Sequence, residues 1–118
     1  MVIAAGITVH EALKAQKQLE KKGTHIAVID AYSIKPIDKT TIVKFAKQTG
    51  HVIAVEDHYP DGGLGDAVRQ TLDGMDVTFT HLAVKKIPQS GTSAELLRYE
   101  DIDAQAIVKA VMEDMIFP

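Results

Sequence analysis

The sequence has no cysteine among its 118 residues, which excludes disulfides, thiolate metal centres and cysteine nucleophiles. It has no long basic run: Lys21–Lys22 and Lys85–Lys86 are the longest, and the formal charge is −3. A nucleic-acid binder concentrates lysine and arginine on one face to neutralise phosphates, so nucleic acid is not an expected partner. No apolar stretch approaches the ~20 residues that span a bilayer, so no membrane partner is expected either. Met1-Val2-Ile3-Ala4-Ala5-Gly6 has no cationic side chain and is too short for a secretory signal, and a cytoplasmic setting is the default expectation. Internal repeats, low-complexity tracts and a Gly-x-Ser-x-Gly elbow are also absent. What is present is 46% hydrophobic and 25% charged residues. That balance suits one globular domain over residues 1–118, with a core that needs no staples.

Apolar runs and helical stripes alternate along the chain. Val2–Ala5 reads as a strand ended by Gly6. Thr8-Val9-His10-Glu11 has the spacing of a capping box, with Thr8 accepting from the helix and Glu11 reaching back. Val9, Ala12 and Leu13 begin an apolar stripe, Leu19 extends it, and Lys21, Lys22 and Gly23 supply stop signals. His25–Asp30 is a second strand, continuously apolar and therefore expected to be buried on both faces. Ser33–Ile37 reads as a loop around Pro36, and Asp38 as the N-cap of the next helix. That helix carries Ile42, Phe45, Ala46 and Thr49 at i, i+3, i+4 and i+7 and stops at Gly50. His51–Glu56 is a third strand, Asp57–Gly63 a loop, and Leu64, Ala67, Val68 and Leu72 the apolar face of a helix ending at Gly74. Val77–Val84 is a fourth strand and Lys85–Gly91 a second loop. Thr92-Ser93-Ala94-Glu95 opens a short helix with a capping pattern. Asp103 caps the last helix, whose stripe is Ala104, Ile107, Val108, Val111, Met112 and Met115. The order β-α-β-α-β-α-β-α-α predicts the α/β class: a three-layer α/β/α sandwich around a mainly parallel four-stranded sheet. Because a strand without lead-in frays, a first strand at residue 2 suggests a fragment of a longer chain.

Open parallel sheets hold ligands at the carboxyl ends of their strands, where the winding reverses. Two loops are expected at that edge, Gly6-Ile7-Thr8 and Glu56–Gly65. In the second, His58 is a candidate general base with Asp57 or Glu56 to orient it. The amides of Gly62, Gly63 and Gly65 are candidates to hold a small anion at the start of the helix. The competing reading is structural: glycines serve the turn, and carboxylates complement the helix dipole. The spacing matches neither the dinucleotide fingerprint nor the P-loop. His10, His25, His51 and His81 lack the spacing of a metal site and read as strand or helix-surface histidines. Ser90 belongs to a helix-start turn, and a hydrolase built on His58 and Asp57 has no neighbouring nucleophile. The residues alone thus give a doubly wound domain with one candidate anion or interface loop: Glu56, Asp57, His58, Gly62, Gly63 and Gly65.

Four segments in order resemble the C-terminal domain of transketolases. They are Ala5–Leu13; Val28-Ile29-Asp30 with Ser33–Asp38; Val55-Glu56-Asp57-His58-Tyr59-Pro60-Asp61-Gly62-Gly63-Leu64-Gly65-Asp66-Ala67-Val68; and Pro88–Leu97. The resemblance covers nearly the whole chain. The 2-oxoacid dehydrogenase beta subunits and deoxyxylulose-phosphate synthase share this domain, but they usually show Glu-Glu where this chain has Glu56-Asp57. The resemblance implies a sheet order of second, first, third, fourth strand. It also implies an additional antiparallel edge strand before Val2–Ala5, missing here, whose loss would leave the second strand's edge open.

For the parent enzyme, the resemblance implies two-carbon ketol transfer between sugar phosphates of the pentose phosphate pathway, using thiamine diphosphate and a divalent metal, usually magnesium. It implies that the pyrimidine-binding and diphosphate-binding domains hold the cofactor, and that this domain packs against them and helps form a homodimer. No catalytic, cofactor-binding or metal-ligating residue carries over, and the domain alone is expected to be inactive. The alternatives are a module binding a small anion or regulatory metabolite at the strand-edge crevice, or the equivalent domain of the two related enzymes.

Overall fold

A computed structural model describes residues 1–31, 39–57, 63–86 and 90–116. Its elements in chain order are β1 (Val2–Ala4), α1 (Ile7–Lys21), β2 (Val28–Asp30), α2 (Lys39–Thr49), β3 (His51–Val55), α3 (Leu64–Thr71), β4 (Thr78–Leu82), α4 (Ser93–Tyr99) and α5 (Ala104–Ile116). The four strands form one parallel sheet in the order β2-β1-β3-β4, with Val2 opposite both Val28 and Ile53, and Val55 opposite Leu82. Both the α/β sandwich and its strand order are therefore as the sequence and its family resemblance predict.

Strand alternation divides the core into two layers, because successive side chains point to opposite faces. Val2, Ala4, Ile53 and Val55 face α1 and α5, meeting Ala12, Ala15, Leu19, Ile107, Val108 and Val111. Ile3 and Val52 face the other way, meeting Ile42 and Ala46 of α2 and Val68 of α3. The central strands β1 and β3 are buried along their whole length. β2 is only half-buried, contrary to the expectation from its unbroken apolar run. Among the described strands it lies at the edge of the sheet and pairs with β1 alone, over three residues.

The helix stripes seat as read from the sequence for Ile42, Phe45 and Ala46, while Thr49 is exposed and donates its hydroxyl to the Phe45 carbonyl at 3.0 Å. Asp38, the loop Ser33–Ile37 and the side chain of Met115 lie outside the described residues. Two caps are as expected. Thr92 Oγ1 accepts from the Glu95 amide at 3.2 Å and Asp103 Oδ1 from the Ala106 amide at 3.0 Å.

The capping box at Thr8 and Glu11 is a correction. Gly6, at φ 62, takes the N-cap position of α1. That positive φ suits a residue without Cβ. Thr8, the second residue of α1, is fully buried, and its hydroxyl accepts from the Ala5 amide and points at the Ala5 and Val55 carbonyls, 2.7 and 2.9 Å away. Glu11 does not reach back. Its Oε1 accepts from the Ala104 amide at 3.2 Å and so caps α5, while Oε2 meets Lys14. A free helix amide on the neighbouring helix outcompetes the local one because it is buried and has no water to turn to.

Candidate functional site

The carboxyl ends of the strands carry the features of interest. The reversal of winding falls between β1 and β3, so the strand ends at Gly6 and Glu56 flank it. Glu56 follows β3 directly and is fully buried. A carboxylate removed from water must be compensated by hydrogen bonds or charge. The chain supplies three donors. The Leu64 amide reaches Oε1 at 3.0 Å, and the Gly65 amide and His81 Nε2 reach Oε2 at 2.7 and 2.5 Å. The first two amides are unsatisfied within α3 itself, and the positive end of its dipole adds to their effect. His81 comes from β4, where it stands opposite Ala54 and on the α3 side of the sheet with Phe79. Glu56 therefore joins β3, β4 and the start of α3 at one point.

The glycines are part of this clamp. A Cβ on Gly63 would land on the Glu56 carboxylate, and one on Gly65 would land on the His81 imidazole. Close approach, rather than a turn, requires glycine at both places. Asp57 is exposed and points to a separate crevice. Of the six candidate residues, Glu56, Gly63 and Gly65 come together; His58 and Gly62 lie outside the described residues.

His81 is a strand histidine, as its place in the sequence suggests, and its side chain is 8% exposed and paired with Glu56. His51 is likewise buried, with Nε2 at 2.9 Å from Thr80 Oγ1. Sequence reasoning placed both in strands and anticipated neither pairing. The available signal was their place inside strands whose neighbours are apolar, but nothing in the chain order says that His81 faces Glu56.

The second feature is a crevice of about 280 Å³ between the ends of β1, β3 and β4 and helix α4, lined by Ile7, Asp57, Val84, Leu96 and Glu100 among others. Its described lining is largely apolar and contains two carboxylates and no lysine, arginine or histidine. Glu100 is held in place, its Oε1 accepting the amides of Lys85 and Lys86 at 3.2 and 3.0 Å.

Fold and clamp together define a doubly wound domain whose ligand-binding edge is occupied, next to the switch point, by a carboxylate of its own. The family profile described as transketolase, C-terminal domain, matches residues 1–107, and the chain belongs to that family. It is similar to human transketolase, 47% identical over 112 residues covering 93% of this chain and 18% of that protein. It is similar to transketolase-like protein 1 of Macaca fascicularis at 51% identity, again over 93% of this chain and 19% of the relative. A solved split-gene transketolase, an inactive beta4 tetramer, superposes with a TM-score of 0.86 at 34% identity, covering 95% of this chain and 37% of that one. The chain thus spans about a fifth of the length of the curated relatives it matches.

A transketolase parent implies thiamine diphosphate and a divalent cation. The described residues of this chain do not fit them. Among the described residues, no three His, Asp and Glu side chains converge where a cation would sit. The described lining of the crevice offers no cation to a diphosphate, and two amides at the start of α3 are already bound to Glu56. Nor is any described helix long and apolar enough to cross a membrane.

Proposed function

We propose that residues 1–118 are the non-catalytic C-terminal domain of a transketolase, working in the cytoplasm by packing against the pyrimidine-binding and diphosphate-binding domains and contributing to a homodimer. In this reading the parent enzyme moves a two-carbon ketol unit between sugar phosphates with thiamine diphosphate and magnesium held by the other domains, and this domain holds neither. The observation that carries the reading is the Glu56 clamp. The position at which a doubly wound domain would present helix amides to a ligand is filled by the chain itself. A site so closed is suited to fixing the fold rather than to turnover. The family match and the split-gene relative support the wider assignment.

The test is a ketol-transfer assay of the purified 118-residue chain with thiamine diphosphate, magnesium, a ketose-phosphate donor and an aldose-phosphate acceptor. No transfer is expected, and measurable turnover would defeat the proposal. Calorimetric titration with phosphate and sugar phosphates addresses the anion-binding alternative, and heats equal to those of buffer are expected.

A further inference from the structure

We propose that the crevice at the carboxyl ends of β1, β3 and β4 is a docking point for a basic, apolar segment of the parent enzyme's cofactor-binding domains. The inference rests on the reading of this chain as an assembly domain and names the surface and chemistry by which it assembles.

Three observations carry it. Ile7, the first residue of α1, is 38% exposed, and its side chain lines the crevice instead of the core. Large apolar side chains that stand in solvent beside a concave apolar surface mark interaction sites more often than isolated ones do. The walls are supplied by Val84 at the end of β4, Leu96 of α4 and Ile102, so an aliphatic or aromatic side chain entering the crevice would be enclosed by apolar groups. Leu13 on α1 is also exposed, at 43%, but lies outside the crevice and stands for the ordinary scattered case.

Charge then selects the occupant. Asp57 and Glu100 are the charged groups of the described lining, and both are acidic. The Lys85 and Lys86 amides fix the Glu100 carboxylate, which makes the acidic rim preorganised. An anionic metabolite would meet like charge here, whereas a segment with lysine or arginine beside a large apolar residue is complementary on both counts. The partner has ample chain to provide such a segment, because this chain corresponds to only 18% of human transketolase.

The experiment is co-expression of the tagged 118-residue chain with the cofactor-binding domains of its parent, followed by co-purification and measurement of affinity. Ile7→Glu and Asp57→Lys are compared with wild type and with Leu13→Glu. A carboxylate at the first position of α1 is favourable to the helix, and thermal melts select the variants that keep the wild-type fold before affinities are compared. Wild type and Leu13→Glu should associate equally, while Ile7→Glu and Asp57→Lys should each weaken association by about ten-fold or more, the scale of a central interface residue. Folded Ile7→Glu and Asp57→Lys that associate within two-fold of wild type would overturn the docking proposal and leave the assembly reading standing. Failure of the wild-type chain itself to associate would remove the assembly reading and this inference with it.

Discussion

Replacing Glu56 by alanine tests the clamp most directly. The substitution leaves the Gly65 amide, the Leu64 amide and the His81 imidazole without their acceptor in a site closed to water. A buried donor left unpaired costs about 1–3 kcal/mol, and the Leu64 amide, the Gly65 amide and the His81 imidazole lose their acceptor together. These costs overlap, since they concern the same desolvated site, so a loss of about 3–5 kcal/mol is expected rather than their full sum. That is a large fraction of the roughly 5–15 kcal/mol by which a domain is stable. With a urea slope of about 1–3 kcal/mol per molar, the midpoint should fall by about 2 M while the slope holds. Glu56→Gln keeps one acceptor oxygen but must turn its NH2 toward a donor or the imidazole, so about 1–3 kcal/mol is expected for it. Because Glu56 and His81 meet directly, Glu56→Ala and His81→Ala should be non-additive, the double variant being less destabilised than the sum by about 1 kcal/mol or more. Urea denaturation followed by circular dichroism gives all four numbers. A Glu56→Ala chain within about 0.5 kcal/mol of wild type, the range of an ordinary surface change, would refute the reasoning.

Gly65→Ala places a methyl on the His81 ring and should cost about 1–3 kcal/mol in a urea melt, with part of the loss recovered in a His81→Ala background. Thr8→Val keeps the shape but removes the bonds to Ala5 and Val55, and an expected loss of about 1–3 kcal/mol should appear as faster hydrogen exchange of the Ala5 amide. Glu11→Ala should destabilise chiefly through the start of α5, by about 0.5–2 kcal/mol, with exchange of the Ala104 amide rising more than that of the first turn of α1. Ile107→Ala, in the layer between the sheet and α1, should cost about 2–5 kcal/mol and lower the thermal midpoint without changing the fold.

Much of this molecule was legible in its order of residues because the physics involved is local. Periodicity of about two or 3.6 assigns strands and helices, and Thr92 and Asp103 announce their caps because the groups they bind are three residues away. The nearly all-apolar run His51–Glu56 reads as a third strand, and β3 is one, buried along its length. The same rule misjudged β2, whose apolar run says nothing of how many neighbours it will have. An edge position is a property of the sheet.

The candidate site divides in the same way. Its glycines and carboxylates stood out as a cluster, yet their partners did not. The capping box at Thr8 was a valid local pattern that lost to contacts 47 and 93 residues away, with Val55 and Ala104. His81 lies 25 residues from Glu56, and only the pairing of β4 beside β3 brings the imidazole to the carboxylate. The sequence by itself therefore determined the elements, the sandwich and the family, since these follow from side-chain pattern and short-range bonds. Tertiary structure alone decided which buried polar groups satisfy one another. Burial leaves each donor and acceptor with no water to fall back on, and the partner is whichever group the fold places within reach.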